Sequence, residues 1–167
     1  MNTITRVSAP VRIDISACWP DSDPYRKEFG GFLLNAAISR RVATIIEEGR
    51  FITSMEGIPP NSGLGTSAAI RSTFIIASNP TLLTRCSLSE LVQKVYIFEN
   101  EILAHRAGVQ DQAAAIAGGV NLWEFTSNEA IRRLAIPQSR ATHLQQRLVV
   151  IYTGEKRESG DIHHEVF

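Results

Sequence analysis

The chain has 167 residues, 44% of them apolar, and its 17 basic and 17 acidic side chains cancel. This length suits one compact domain with a core, and two full domains would be a tight fit. The balanced charge excludes a strongly basic nucleic-acid-binding face, and no apolar run approaches the roughly 20 residues that a membrane helix needs. The opening MNTITRVSAPVR lacks the apolar block of a secretory signal. We therefore expect a cytoplasmic protein that binds neither nucleic acid nor membrane.

The first half of the chain predicts strands followed by a helix. Residues 4–16 alternate apolar and polar side chains around a break near Pro10, which is typical of a strand. Residues 32–49 fit either a helix or two short strands around Arg40 and Arg41, and their β-branched content, which continues after Gly49, favours strands. Residues 64–78 predict a buried helix that Asn79 and Pro80 end.

The second half predicts two helices between strands. Residues 87–108 have a helical apolar period, with Ser87 as N-cap, Glu90 completing a capping box and Gly108 at the end. Residues 111–119 (DQAAAIAGG) predict a short helix closed by glycines, and VNLWEF and RLVVIYTG have the composition of strands. Early strands, central helices and late strands together indicate an α+β sandwich.

Cysteine and histidine positions give no metal or disulfide signal. Cys18 and Cys86 are far apart, which suits reduced thiols, and no Cys/His spacing typical of zinc occurs. We expect the four histidines to be surface residues: His105, His143, His163 and His164.

The stretch IPPNSGLGTSAAI, residues 58–70, predicts an anion-binding helix entrance. Backbone N–H groups at a helix N-terminus are unpaired, and Gly63 and Gly65 would let the chain approach a phosphate closely. The alternative is an ordinary helix start capped by Asn61 or Ser62. The lysine of a Walker-type phosphate loop is absent.

PPNSGLGTSAA resembles the second signature of the GHMP kinase superfamily, a loop that wraps the triphosphate of ATP. The resemblance implies that ATP is bound by Pro60, Asn61, Ser62, Gly63, Leu64, Gly65, Thr66 and Ser67.

Residues 9–38 resemble the first motif of the sugar-kinase branch of that superfamily, closest to fucokinases and heptose-phosphate kinases. By this resemblance Arg12 lies near the transferred phosphate and Asp21 grips sugar hydroxyls. Without it, Arg12 would be an exposed strand residue, and Asp21 and Asp23 would be turn formers. The chain departs from the family pattern at Ala17, Cys18 and Pro20. The implied substrate-binding residues are Asp21, Tyr25, Gly30, Gly31 and Gln110.

Residues 98–119 resemble the third motif, which carries a magnesium ligand and a catalytic aspartate. Matched by position, Glu101 would be the Mg²⁺ ligand beside Ser67, and Asp111 the base that takes the proton of the attacking hydroxyl. Taken alone, Asp111 would be a helix N-cap and Glu101 a solvated helix carboxylate.

The resemblance implies that residues 1–155 form a GHMP-kinase N-terminal domain with a ribosomal-protein-like β-α-β sandwich, shortened between residues 38 and 59. Residues 156–167 would begin a C-terminal domain that is otherwise absent. The implied function is phosphorylation of a fucose- or heptose-type sugar with ATP and Mg²⁺ by a half-kinase. The alternative is a non-catalytic relic or regulator that keeps nucleotide binding. In either case we expect self-association or a complementary C-terminal-domain chain.

Overall fold

The computed structural model describes residues 4–16, 19–103, 107–128 and 130–155. The elements in chain order are β1 (Thr5–Ser16), α1 (Tyr25–Phe29), β2 (Gly31–Glu47), β3 (Arg50–Ser54), α2 (Thr66–Ser78), α3 (Leu82–Arg85), α4 (Leu88–Ile97), a π-helical segment (Phe98–Ile102), α5 (Gln110–Ala117), β4 (Val120–Phe125), β5 (Ile131–Ala135) and α6 (Gln138–Gln145).

The strands form one antiparallel sheet built around β2. This strand pairs with β1 on one side; on the other side its first half pairs with β4 and its second half with β3, and β5 pairs with β4. The preference for strands over a helix is confirmed. The expected division into two strands at Arg40 and Arg41 is wrong, because β2 is one strand from Gly31 to Glu47. Its pairing with β1 nevertheless shifts register between Ala37 and Arg41.

The break predicted near Pro10 is confirmed as a register shift between Pro10 and Arg12. Proline has no N–H to donate to the ladder, so such irregularities are where a strand accommodates it. After the shift the backbone N–H of Arg12 donates to the carbonyl oxygen of Leu64 at 3.0 Å. The irregular strand is thereby joined to the loop that precedes α2.

The helices and the sheet enclose the core expected of an α+β fold. Helices α2 and α5 pack against β1 and β2, and α4 packs against α5. Trp123 is fully buried, and its Nε1 donates to Asn35 Oδ1 at 2.9 Å. One buried cluster consists of Leu33, Val92, Val109, Ala113, Trp123, Phe125 and Ile131, and a second of Ala9, Val11, Val42, Ile58, Ala69 and Ala115.

The helix predictions are mostly confirmed. Helix α2 begins at Thr66 and ends at Ser78, and the Ser87–Glu90 capping box is present at α4. The expected helix end at Gly108 is wrong: the regular helix changes into the π-helical segment after Ile97, and Gly108 is not helical.

The late part of the chain differs most from expectation. RLVVIYTG, residues 147–154, forms no strand, and β5 and α6 were not anticipated.

His143 is exposed on α6, as expected. None of the helices within the described ranges is long and apolar enough to cross a membrane. The expectations for Ala17, Cys18, His105, His163, His164 and residues 156–167 lie outside the described residues.

The core generates a stability prediction at Leu33, which is fully buried in the first cluster. We expect Leu33→Ala to lower the free energy of unfolding in urea by about 2–5 kcal/mol, through lost burial and a residual cavity. The matched control is Leu134→Ala, on an edge-strand side chain that is 49% exposed; we expect a change within about 0.5 kcal/mol. Equal losses in the two variants would contradict the core described here.

Candidate active site

The loop before α2 has the conformation of an open helix N-terminus. Gly65 is the N-cap residue, with φ +68°, and no side chain caps the helix. The alternative in which Asn61 or Ser62 caps the helix is therefore wrong. The first N–H groups of a 13-residue helix stay open to a ligand.

Gly65 is required by its conformation and by its neighbours. A Cβ added there would lie 3.3 Å from Asp111 Cγ and 3.4 Å from Arg12 Cγ, and the positive φ already disfavours other residues. The loop therefore lies directly on the two side chains expected to be catalytic.

Two hydroxyls of the loop are buried and unpaired. Ser62 Oγ and Thr66 Oγ1 have no hydrogen-bond partner within the described part of the protein. Buried polar atoms are normally satisfied, so an unpaired pair in a glycine-rich loop fits a ligand that brings acceptor oxygens, such as a phosphate. Of the other loop residues, Leu64 packs on the second core cluster, while Pro60, Asn61, Gly63 and Ser67 are exposed.

Arg12 and Asp111 form a tight ion pair. Arg12 Nε donates to Asp111 Oδ1 at 2.7 Å, and Arg12 Nη2 lies 2.6 Å from the same oxygen. Arg12 Nη1 donates to the carbonyl oxygen of Gly63 at 2.7 Å, and Asp14 Oδ1 lies 3.3 Å from Arg12 Nε. Burial lowers the pKa of Arg12, but the carboxylates of Asp111 and Asp14 outweigh it and raise the pKa. The alternative of Arg12 as an exposed strand residue is wrong, since its side chain is 11% exposed.

Asp111 lies in the first turn of α5, whose N-cap residue is Val109 with no side-chain cap. The alternative of Asp111 as an N-cap is therefore wrong. Its side chain is 28% exposed. The carboxylate is held by Arg12 yet remains open to a reactant.

Asp21 lies beneath the same helix start. It is 1% exposed, and its Oδ2 accepts from the backbone N–H of Gln110 at 2.9 Å. A Cβ at Gly108 would lie only 1.9 Å from that oxygen, which explains a glycine there. Asp21 Oδ1 and Gln110 Oε1 are buried without partners among the described residues. Burial is the largest effect on Asp21 and raises its pKa to about 6.

The other proposed substrate residues have packing contacts. The Tyr25 ring is 44% exposed and lies 5.0 Å from the ring of Phe29. A Cβ at Gly30 would lie 2.4 Å from the Phe125 carbonyl oxygen, and one at Gly31 would lie 2.5 Å from Pro20 Cβ. Close packing thus accounts for both glycines.

The structure connects Ser67 with Glu99, and it leaves Glu101 exposed. Arg71 donates from Nη1 to both Ser67 Oγ and Glu99 Oε1, and Glu99 Oε2 accepts from Gln112 Nε2 at 2.7 Å. Burial raises the pKa of Glu99, and Arg71 opposes that effect. Ser67 therefore reaches Glu99 through Arg71, and the expected pairing of Ser67 with Glu101 through a metal stays a prediction.

Sequence reasoning missed Glu99 and Arg71, although a signal for Glu99 was present. Val92 and Val95 are buried on α4, and Glu99 continues their face at the spacing of one and two helical turns. The π-helical segment that follows is a type of irregularity frequent at functional sites.

The residues as placed do not fit a divalent cation. A serine hydroxyl and a carboxylate are suitable oxygen ligands for Mg²⁺, but the guanidinium of Arg71 lies between them. Within the described ranges, no group of three or more His, Cys, Asp or Glu side chains could hold a metal ion.

Comparison with known proteins identifies the domain. The family described as "GHMP kinases N terminal domain" matches residues 33–119. The chain belongs to the GHMP kinase family. D-glycero-alpha-D-manno-heptose 7-phosphate kinase of Campylobacter jejuni is 35% identical over 107 residues, which are 63% of this chain and 32% of that protein. The bifunctional fucokinase/GDP-fucose pyrophosphorylase of Arabidopsis thaliana is 23% identical, covering 97% of this chain and 21% of that protein.

Solved structures show the same fold. A D-glycero-D-manno-heptose 1-phosphate kinase from Bacteroides thetaiotaomicron superposes with TM-score 0.68 at 21% identity, covering 81% of this chain and 60% of that one. Lactococcus lactis galactokinase complexed with galactose gives TM-score 0.54 at 15% identity, covering 98% and 62%. The GHMP-type fold predicted from the motifs is confirmed. The chain spans a third or less of the curated relatives described above.

The buried carboxyl of Asp21 generates a pH prediction. The folded protein holds this proton more tightly than the unfolded chain, whose aspartate pKa is near 3.8, so ionisation of Asp21 lowers stability as the pH rises toward 6. The original protein loses this stability between about pH 4 and pH 7, whereas Asp21→Asn has no carboxyl to ionise. We therefore expect the free energy of unfolding of Asp21→Asn to rise by about 3 kcal/mol relative to that of the original protein across this range, from a shift of about two pKa units. Urea unfolding of both proteins across this range measures it. If the difference in unfolding free energy between the two proteins does not change with pH, the raised pKa of Asp21 is refuted.

Proposed function

We propose that this chain transfers the γ-phosphoryl group of ATP to a hydroxyl of a fucose- or heptose-type sugar or sugar phosphate. The Arg12–Asp111 pair beneath an open, glycine-rich helix N-terminus is the observation that carries this proposal. The names of the relatives, a heptose 7-phosphate kinase and a fucokinase, support this choice of substrate class.

The loop would hold the triphosphate. Phosphate oxygens would accept from the open N–H groups at the start of α2 and from the unpaired hydroxyls of Ser62 and Thr66. Arg12 would then stabilise negative charge on the transferring group, because its guanidinium lies against the loop at Gly63.

Asp111 would act as the general base. Its carboxylate takes the proton of the attacking sugar hydroxyl while the new oxygen–phosphorus bond forms and the bond to the leaving ADP oxygen breaks. The partial exposure of Asp111 makes it accessible to a substrate hydroxyl.

Asp21 and Gln110 would bind the sugar. Each has a buried oxygen without a partner among the described residues, and both lie at the α5 start that carries Asp111. Unpaired acceptors of this kind suit sugar hydroxyl donors.

The proposed phosphoryl transfer would consume ATP, and we place the reaction in the cytoplasm.

A transfer assay tests the reaction. With MgATP and a panel of fucose-, heptose- and galactose-type sugars, we expect ADP release with at least one acceptor and a loss of about 10²–10⁴-fold in Asp111→Asn, which lacks the base. The control, Glu124→Gln, alters a carboxylate on β4 that is paired with Arg132 on the edge strand β5, and it is expected to keep activity. Nucleotide binding without turnover on any acceptor would instead support the relic or regulatory alternative.

We also propose that the chain associates with another polypeptide through residues 148–152. Leu148, Val150 and Tyr152 line a groove of about 830 Å³, whereas Val149 and Ile151 are 80% and 78% exposed. Adjacent apolar side chains exposed to this degree favour a covering partner, which we take to be a second copy or a C-terminal-domain chain.

Light scattering tests this association. We expect the measured mass of the purified protein to exceed that of a monomer. Val149→Ser combined with Ile151→Ser should lower the measured mass toward that of the monomer, because the apolar contact is removed. Leu83→Ser, at a side chain that is 58% exposed on α3, is the control and should leave the mass unchanged. A monodisperse monomer at high concentration, with no binding of a C-terminal-domain chain, would rule the association out.

A further inference from the structure

Arg71 occupies a fixed position between two oxygens of the candidate active site. It lies on α2 one turn after Ser67, and its Nη1 contacts both Ser67 Oγ and Glu99 Oε1. The Arg71 side chain is 18% exposed and that of Glu99 is 2% exposed. Gln112, the residue after Asp111, holds the second oxygen of Glu99 at 2.7 Å.

This arrangement keeps a cation next to the phosphate loop. A buried carboxylate is tolerated when it is paired and hydrogen-bonded on both oxygens, as Glu99 is. A guanidinium has five N–H donors, so contacts from one nitrogen leave others for a ligand, and its planar fork suits phosphate oxygens. Ser67, which Arg71 contacts, is exposed in the first turn of α2.

We propose that Arg71, held between Ser67 and Glu99, is a built-in phosphate-binding cation that takes the place beside Ser67 that the family resemblance gives to a divalent metal ion. Its guanidinium binds the nucleotide triphosphate directly, and this binding does not depend on Mg²⁺. Glu99 is a positioning residue that holds the guanidinium and balances its charge in the absence of nucleotide. This inference rests on the proposed use of ATP.

The experiment measures binding of ATP alone, with no sugar, by calorimetry in excess EDTA and in excess Mg²⁺. For the original protein we expect dissociation constants within about threefold of each other in the two buffers. We expect Arg71→Gln to bind about tenfold or more weakly in EDTA, through loss of a charge-assisted contact, and to regain affinity with Mg²⁺. Arg85→Gln, at an exposed arginine on α3, is the matched control and should behave as the original protein.

A second variant keeps the proposal testable if Arg71→Gln does not fold. Arg71→Lys retains the charge but not the planar fork, and should show a smaller loss in EDTA than Arg71→Gln would. Binding that requires Mg²⁺ in the original protein, or equal affinity of the Arg71 variants and the original in EDTA, overturns this inference and leaves the proposed kinase function standing. Absence of ATP binding in both buffers overturns both.

Discussion

The ion pair between Arg12 and Asp111 is the interaction on which the rest of the site depends. It joins three elements that are distant in sequence: the irregular part of β1, the loop before α2 and the first turn of α5. Arg12 contributes twice to the loop, through its backbone N–H to the Leu64 carbonyl oxygen and its side chain to the Gly63 carbonyl oxygen. The shape of the phosphate loop is therefore tied to the groups proposed for catalysis.

Much of this arrangement follows from local sequence signals. The Ser87–Glu90 capping box and the glycine closing α5 are encoded within one turn of chain, and both were predicted. The single course of β2 from Gly31 to Glu47 could not be predicted, because it depends on long-range pairing with β1, β3 and β4. RLVVIYTG has the composition of a strand, yet it forms none; a strand also requires a neighbour, and composition does not supply one.

The candidate site likewise combines features that local sequence predicts with features that depend on the tertiary structure. The family motifs selected Arg12, Asp111 and the loop, which the structure brings together. Motif matching selected Glu101 over Glu99, because two carboxylates separated by one residue satisfy the same pattern. Burial separates them, since the face of Val92 and Val95 continues to Glu99. The role of Arg71 needed the tertiary structure, because its partner Glu99 belongs to a different helical segment.

Charge balance gives a physical reason for a cation at Arg71. Asp14, Asp21, Glu99 and Asp111 lie around the loop, and burial is the largest cause of the raised pKa in the first three. Asp111 raises the pKa of each of them further, so the carboxylates interact with one another. Arg12 is already engaged by Asp111 and Asp14. Since a triphosphate adds negative charge to this acidic surrounding, a second guanidinium held at the loop lowers the electrostatic cost of binding it.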